Sequence, residues 1–376
     1  MNVLVTGGAG FIGSHIVDAL LDAGHEVRVF DSLEPQVHGG LREQGKWPDY
    51  LAADCEKVLG DVRDRDAVRA ALSGIEVVYH EASAVGVGQS MYDIERYVDL
   101  NTRGTSVLLD VLANEPHDVK RLIVASSMSI YGEGKYRCPV HGEVFPQLRP
   151  ESQLEAHEWE MRCPICGKDA SPLPTDESKP LYPTSIYAIT KKDQEEMCLC
   201  IGRSYGIPTV ALRYFNVYGP RQALSNPYTG VAAIFSGRLL NDNAPVIFED
   251  GLQSRDFTHV SDIVQANMLA LERHEMDYGV FNVGTGRKLS ILDVAEALIE
   301  ELGSRQRAEI VNSFRAGDIR HCYSDISRIQ AVGYRPTVRF EEGVAALVEW
   351  VREQSAEDSF ERARKELTSR GLVADG

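Results

Sequence analysis

The chain has 376 residues, 43% of them hydrophobic and 25% charged, with a formal net charge of −17 from 56 acidic and 39 basic side chains. This length exceeds one ordinary domain and implies two lobes around a cleft. The acidity repels nucleic acid and anionic membranes over long range, so neither is an expected partner, and an anionic small molecule needs local basic groups to bind.

In chain order, Asn2 to Thr6 reads as a strand, Ser14 to Ala23 as a helix and Glu26 to Asp31 as a second strand. Val77 to His80 and Arg121 to Ser126 follow as strands, with a helical stretch from about Tyr92 to Ala113 between them. This alternation predicts an α/β fold, a doubly wound parallel sheet whose ligands bind at the carboxyl ends of the strands. Residues 134–183 break the pattern, holding eight of the 16 prolines, and read as an inserted module. Ser185 to Arg203 is helical and Thr209 to Tyr214 a strand. Helices are expected near Gly230–Leu240, Ser261–Arg273, Ser290–Leu302 and Glu341–Glu353, with short strands between. The predicted organisation is a dinucleotide-binding Rossmann domain over 1–215, a smaller α/β lobe over 216–355 from which chain can cross back, and a charged tail over 356–376 that is a surface helix or frayed. No run nears the roughly 18 apolar residues of a membrane helix. Val3-Leu4-Val5 runs straight into a glycine loop with no signal peptide before it, so a cytoplasmic protein is expected.

Gly8-Ala9-Gly10-Phe11-Ile12-Gly13 is G-x-G-x-x-G, and Gly7 adds an overlapping G-x-x-G-x-x-G. Between a strand and a helix, such a loop lets backbone approach a pyrophosphate at the positive end of the helix dipole. Asp31, ending the second strand, can accept hydrogen bonds from ribose hydroxyls and repels a 2′-phosphate; Ser32 rather than arginine follows, which favours NAD. Tyr187-Ala188-Ile189-Thr190-Lys191 is Y-x-x-x-K on a helical stretch, a spacing that puts phenol and ammonium on one face. A nearby cation favours the phenolate and so makes Tyr187 a candidate acid/base group. The same spacing recurs in Tyr131-Gly132-Glu133-Gly134-Lys135, whose two glycines make it a turn.

Gly7–Gly13, Asp31, Gly60-Asp61-Val62, Asn101, Ser126-Ser127 and Tyr187/Lys191 together resemble the extended short-chain dehydrogenase/reductase superfamily, and within it the nucleotide-sugar epimerases and dehydratases. The runs Arg213–Arg221, Arg255–Val260 and Arg315-Ala316-Gly317-Asp318 are similar to that family's substrate-lobe motifs. The resemblance implies NAD contacts from Gly7, Gly10, Phe11, Ile12, Gly13, Asp31, Asp61, Val62, Ala82, Asn101, Tyr187 and Lys191. It implies catalysis by Ser127, Tyr187 and Lys191, and substrate binding by Ser127, Asn216, Arg255, Arg315 and Asp318, with the arginines clamping a diphosphate. A homodimer is the implied assembly.

Family 4,6-dehydratases carry an Asp-Glu pair after the active-site serine or threonine, whereas this chain has Met128-Ser129. Dehydration is therefore disfavoured, and C4 epimerisation through a transient 4-keto sugar is expected. Asp31 to His38, with the cysteine insert, resembles the subgroup acting on dTDP-L-rhamnose, ranked just ahead of a UDP-hexose substrate. A dehydratase, reductase or decarboxylase on the same scaffold, or a non-catalytic NAD-sensing module, are the alternatives.

Of seven cysteines, Cys55, Cys322 and Cys198/Cys200 are scattered. Cys138-Pro139-Val140-His141-Gly142 and Cys163-Pro164-Ile165-Cys166-Gly167 instead share the form C-P-x-[CH]-G. Two such knuckles supply three thiolates and one imidazole, a full tetrahedral set for structural zinc, in a module that resembles a zinc ribbon; His157 is an alternative ligand. The metal is expected to staple an insert that lacks a core of its own.

Overall fold

The structure, a computed structural model, describes residues 1–374. Seven strands form the main sheet, numbered here in chain order: β1 (Asn2–Thr6), β2 (Glu26–Asp31), β3 (Glu56–Leu59), β4 (Val77–His80), β5 (Arg121–Ser127), β6 (Thr209–Tyr214) and β7 (Val280–Val283). They lie in the order β7-β6-β5-β4-β1-β2-β3, every pair parallel. The order reverses between β1 and β4, where open sheets of this type bind ligands. Central strands such as Val77–His80 are buried on both faces, which is why they read as unbroken apolar runs. Ile16, Val17 and Leu20 of helix Phe11–Asp22 and Ile263 and Ala266 of helix Val260–Glu272 pack on one face. Val68, Leu108, Leu112, Cys198 and Leu199, from three further helices, cover the other.

The stretch expected to be one helix near Tyr92–Ala113 is interrupted. A π-helical segment, Val98–Arg103, separates Ile94–Tyr97 from Gly104–Asn114 and carries fully buried Asn101. The extra residue per turn rotates Asn101 inward, where its side chain bonds the loop after β4.

Helices Val231–Leu240, Ile291–Leu302 and Phe340–Val351 build the core of the smaller lobe around Phe235, Leu298 and Leu347. Between the first two, the chain returns to the main sheet through Val260–Glu272 and β7. The tail is ordered into helix Phe360–Ser369 and a short strand, Val373–Ala374, antiparallel to Phe314–Arg315. Asp375 and Gly376 lie outside the described residues. No helix among the described residues is long and apolar enough to cross a membrane.

The insert forms a three-stranded antiparallel sheet from Lys135–Cys138, Gly142–Val144 and Ser171–Leu173. It does have a small core, Tyr136, Cys138, Val144, Met161, Cys163 and Ala170, contrary to the expectation of none. It is also anchored to the smaller lobe. Arg149 pairs bidentately with Glu249 at 2.7 and 3.0 Å, both side chains almost fully buried. Arg320, with no exposed surface, binds Glu160 of the insert at 2.6 Å and Asp250 of the lobe at 2.6 Å.

Candidate active site and cysteine cluster

A cleft of about 610 Å³ runs along the carboxyl ends of the strands, from the glycine loop to the smaller lobe. Gly7 (φ +70°) lies so close to the loop after β4 that a Cβ would sit 2.8 Å from the Ala82 nitrogen. A Cβ on Gly13 would fall 2.3 Å from the Gly7 carbonyl oxygen. These two positions leave no room for a side chain, and together with Gly10, Phe11 and Ile12 they line the cleft. Asp31 accepts from the Ala9 amide (3.0 Å) and the Leu33 amide (2.8 Å), tying the end of β2 to the loop. Each oxygen keeps a lone pair for a ribose hydroxyl. Asp61 and Val62 line the same end; Arg63 bonds Asp61 at 2.6 Å and holds its carboxyl below the usual range.

Ser185 caps helix Ile186–Tyr205 by accepting from the Ala188 amide, and the Tyr187 amide bonds Ser90 Oγ at 3.0 Å. These contacts fix the first turn, so Tyr187 projects into the cleft with Ser127 from the end of β5. Burial pushes the Tyr187 phenol above its ordinary pKa, while the Ser127 hydroxyl acts in the opposite direction. Lys191 shares this wall, but its Nζ bonds Gln194 Oε1 at 2.9 Å and reaches Ser83 Oγ at 3.5 Å. The direct polar neighbour of the phenol is thus Ser127. Burial lowers the Lys191 pKa, and the Glu81 carboxylate, which also lines the cleft, opposes that shift. Asn101 does not line the cleft; it binds both the amide and carbonyl of Ala84, and Thr190 of the tyrosine helix. It positions the cleft wall from behind.

Met128 and Ser129 line the cleft just after Ser127. Met128 packs with Tyr131, Phe215 and Ile319, and the Ser129 hydroxyl bonds Ser127 Oγ at 2.9 Å. Neither offers a carboxyl. The second Y-x-x-x-K copy begins at fully buried Tyr131, whose hydroxyl bonds Asn282, and turns at Gly132 (φ +66°).

At the far end lie Asn216, Arg255, Arg315 and Asp318. The buried Oδ1 of Asn216 and Oε1 of Gln253, both in cleft-lining residues, have no hydrogen-bond partner among the described residues, which marks a polar ligand site. Arg255 is braced by the carbonyls of Ser254, Ile319 and Arg320. Arg315 lies over the Phe248 ring at 4.7 Å and bonds Asp318 at 2.7 Å. Sequence reasoning missed Gln253, Glu81 and the tail residues Phe360, Ala363, Arg364 and Leu367, which also line the cleft. The tail's signal was present: four inward positions at helical spacing.

The donor atoms of Cys138, His141, Cys163 and Cys166 lie within 4.8 Å of one another. His141 Nδ1 is 3.6 Å from both Cys138 Sγ and Cys163 Sγ, and Cys138 Sγ is 3.7 Å from Cys166 Sγ. The Val140 amide approaches Cys138 Sγ at 3.4 Å and the Ile165 amide Cys163 Sγ at 3.5 Å. Gly142 (φ +71°) and Gly167 (φ +70°) turn the chain after each knuckle. Burial pushes the Cys138 thiol up, but the Val140 and His141 amides and the imidazole bring it down to about 6. His157 stacks on Trp159 (ring centroids 5.2 Å) and is not among the four clustered residues.

The NAD dependent epimerase/dehydratase family model matches residues 3–154 and 163–284. The dTDP-L-rhamnose 4-epimerase of Burkholderia thailandensis is 34% identical over 355 residues, 94% of this chain and 95% of that one. A UDP-glucose 4-epimerase of Thermotoga maritima, solved with UDP-glucose, is 31% identical with a TM-score of 0.74, covering 94% of this chain and 99% of its own. The Thermus thermophilus UDP-glucose 4-epimerase, solved with NAD, is 30% identical with the same TM-score over 94% and 99%. With its sheet order, glycine loop and Tyr187–Lys191 helix, this chain belongs to the NAD dependent epimerase/dehydratase family of extended short-chain dehydrogenases/reductases.

Proposed function

We propose that this protein is an NAD-dependent 4-epimerase of nucleotide-diphosphate sugars, with a dTDP-deoxyhexose of the L-rhamnose type ranked just ahead of a UDP-hexose. The observation that carries the reading is the pairing of Ser127 with Tyr187 in the cleft that begins at the glycine loop, with Met128-Ser129 where a dehydratase has its acid and base. The named relatives support 4-epimerisation, and both dTDP- and UDP-sugar enzymes occur among them.

Gly10, Phe11, Ile12 and Asp31 would hold NAD along the glycine loop, where it would supply the hydride acceptor and donor for C4 of the sugar. Tyr187 accepts the proton of the C4 hydroxyl as the ketone forms and gives it back on reduction. Ser127 donates to the same oxygen and stabilises its developing charge. Lys191, oriented by Gln194, favours the phenolate electrostatically. Asn216, Arg255 and Arg315 hold the diphosphate, while Asp318 sets the orientation of Arg315. Because this chemistry would regenerate the cofactor within each cycle, turnover would need no added NAD. Incubation with UDP-, dTDP- and GDP-sugars without added cofactor tests this. Interconversion of C4 epimers is expected; net NADH formation points instead to a dehydrogenase.

The four-residue cluster in the insert is, in this reading, a structural zinc site. A tetrahedral ion with Zn–S of about 2.3 Å and Zn–N of about 2.0 Å demands S···S edges of about 3.8 Å and S···N edges of about 3.5 Å. The 3.7 and 3.6 Å separations meet that demand. All four ligand positions come from protein, which leaves none for catalysis.

A further inference from the structure

The tail helix Phe360–Ser369 lines the cleft and contacts both lobes. On the smaller lobe, buried Arg238 stacks on Phe360 at 4.4 Å and bonds Glu361 at 3.2 Å. Asn241 and Asn243 bind the Ala356 carbonyl and Asp358 at the start of the same segment. On the dinucleotide side, Arg370 stacks on Tyr92 at 4.3 Å, and Leu367 lies against Gly88. Gly88 belongs to the short helix Val87–Ser90, whose Ser90 braces Tyr187.

Phe360, Ala363, Arg364 and Leu367 occupy one helix face and all line the cleft. Leu367 and Val373 pack on Phe248, the ring beneath Arg315. The final strand pairs Val373 with Arg315 itself, and the Leu372 carbonyl accepts from the Ala316 amide. The backbone that presents Arg315 is therefore held by the tail.

Arg364 differs from its neighbours. It is half-buried, and its guanidinium has no hydrogen-bond or ion-pair partner among the described residues, in a chain of charge −17. By contrast Arg315 is engaged by Asp318, and three donor bonds of Arg255 go to carbonyls. A cation left free on a cleft wall in such a protein is suited to an anionic ligand.

We infer that the carboxyl-terminal segment 359–374 is part of the substrate site, with Arg364 a direct ligand of the nucleoside diphosphate and strand Val373–Ala374 a support for Arg315. The inference rests on the nucleotide-sugar reading above. Calorimetry with UDP and dTDP tests it on NAD-loaded wild-type, Arg364→Gln and Arg364→Lys proteins, alongside KM and kcat for the turned-over sugar. An arginine–phosphate contact is worth at least about tenfold in affinity. R364Q is expected to weaken nucleoside-diphosphate binding and raise KM by about that factor, with kcat within about twofold and NAD content unchanged. R364K is expected to recover part of the loss. A Kd for R364Q within about twofold of wild type would overturn the assignment of Arg364. A chain ending at Ala356 is expected to raise KM further, through release of Arg315; if it fails to fold, the point variants still decide. Wild-type protein that holds NAD but binds neither diphosphate would overturn the nucleotide-sugar reading, and this inference with it.

Discussion

Replacing Arg149 with methionine tests how firmly the insert is bound to the smaller lobe. The Arg149–Glu249 pair is 2% and 4% exposed, so solvent screens it little. Removing one partner of a buried pair costs about 3–5 kcal/mol, chiefly by stranding the other charge. Glu249 would keep Arg320 at 3.1 Å, which places the loss near about 3 kcal/mol. For 376 residues unfolding as one unit, an unfolding entropy of about 2.1 cal/mol/K per residue converts this into a fall of about 4 °C in Tm. The Arg287–Glu341 pair, 51% and 50% exposed, is the control. Arg287→Gln should cost less than about 1 kcal/mol, a shift of about 1 °C. Differential scanning calorimetry reads both. Equal shifts would refute the view that the insert is anchored by a buried ionic network.

Tyr187→Phe should retain NAD while kcat falls by about 10²–10⁴-fold, the usual weight of a positioned acid/base group, checked by single-turnover assays. Metal analysis should find one zinc per chain, and Cys138→Ser should lose it together with protease resistance in residues 134–183; full metal loss with unchanged digestion would argue against a stapling role. His321, with Arg320 assisting, holds the Glu160 carboxyl down at about 2. A depressed folded pKa stabilises above the unfolded value near 4.5 and loses that contribution as pH falls from about 4.5 to about 2. Wild-type protein should therefore lose more stability across that window than Glu160→Gln, measured by urea midpoints at stepped pH.

Five of the seven strands of the main sheet were legible because β1, β2, β4, β5 and β6 are short, largely buried apolar runs between helical periods, whereas edge strand β3 is half-exposed and carries no such run. The glycine loop and Asp31 were legible from their position at the end of those strands. The π-helical interruption was not, because nothing in Val98–Arg103 departs from an ordinary helical composition; it is the buried pairing of Asn101 with Ala84 that requires it. The orientation of Lys191 was also hidden. Its spacing from Tyr187 predicts proximity, but Gln194, one turn further along, competes for the ammonium. The tail's charge suggested a surface element, and its inward stripe, Phe360, Ala363 and Leu367, becomes meaningful only when Phe248 and Arg315 are brought beneath it. The cysteine knuckles were read correctly as a spatial group, since local turns bring each pair together, but the insert's anchoring through Arg149 to Glu249 and through Glu160 to Arg320 depends on contacts far apart in sequence.

The most direct test of the mechanism follows deuterium placed at C4 of the accepted nucleotide sugar. Transfer to tightly bound NAD and return to the other face predicts an epimerised product that keeps deuterium at C4, with no label in solvent and no net NADH. Loss of the label to water, or its accumulation in released NADH, would contradict epimerisation by a single hydride that leaves and re-enters the same carbon.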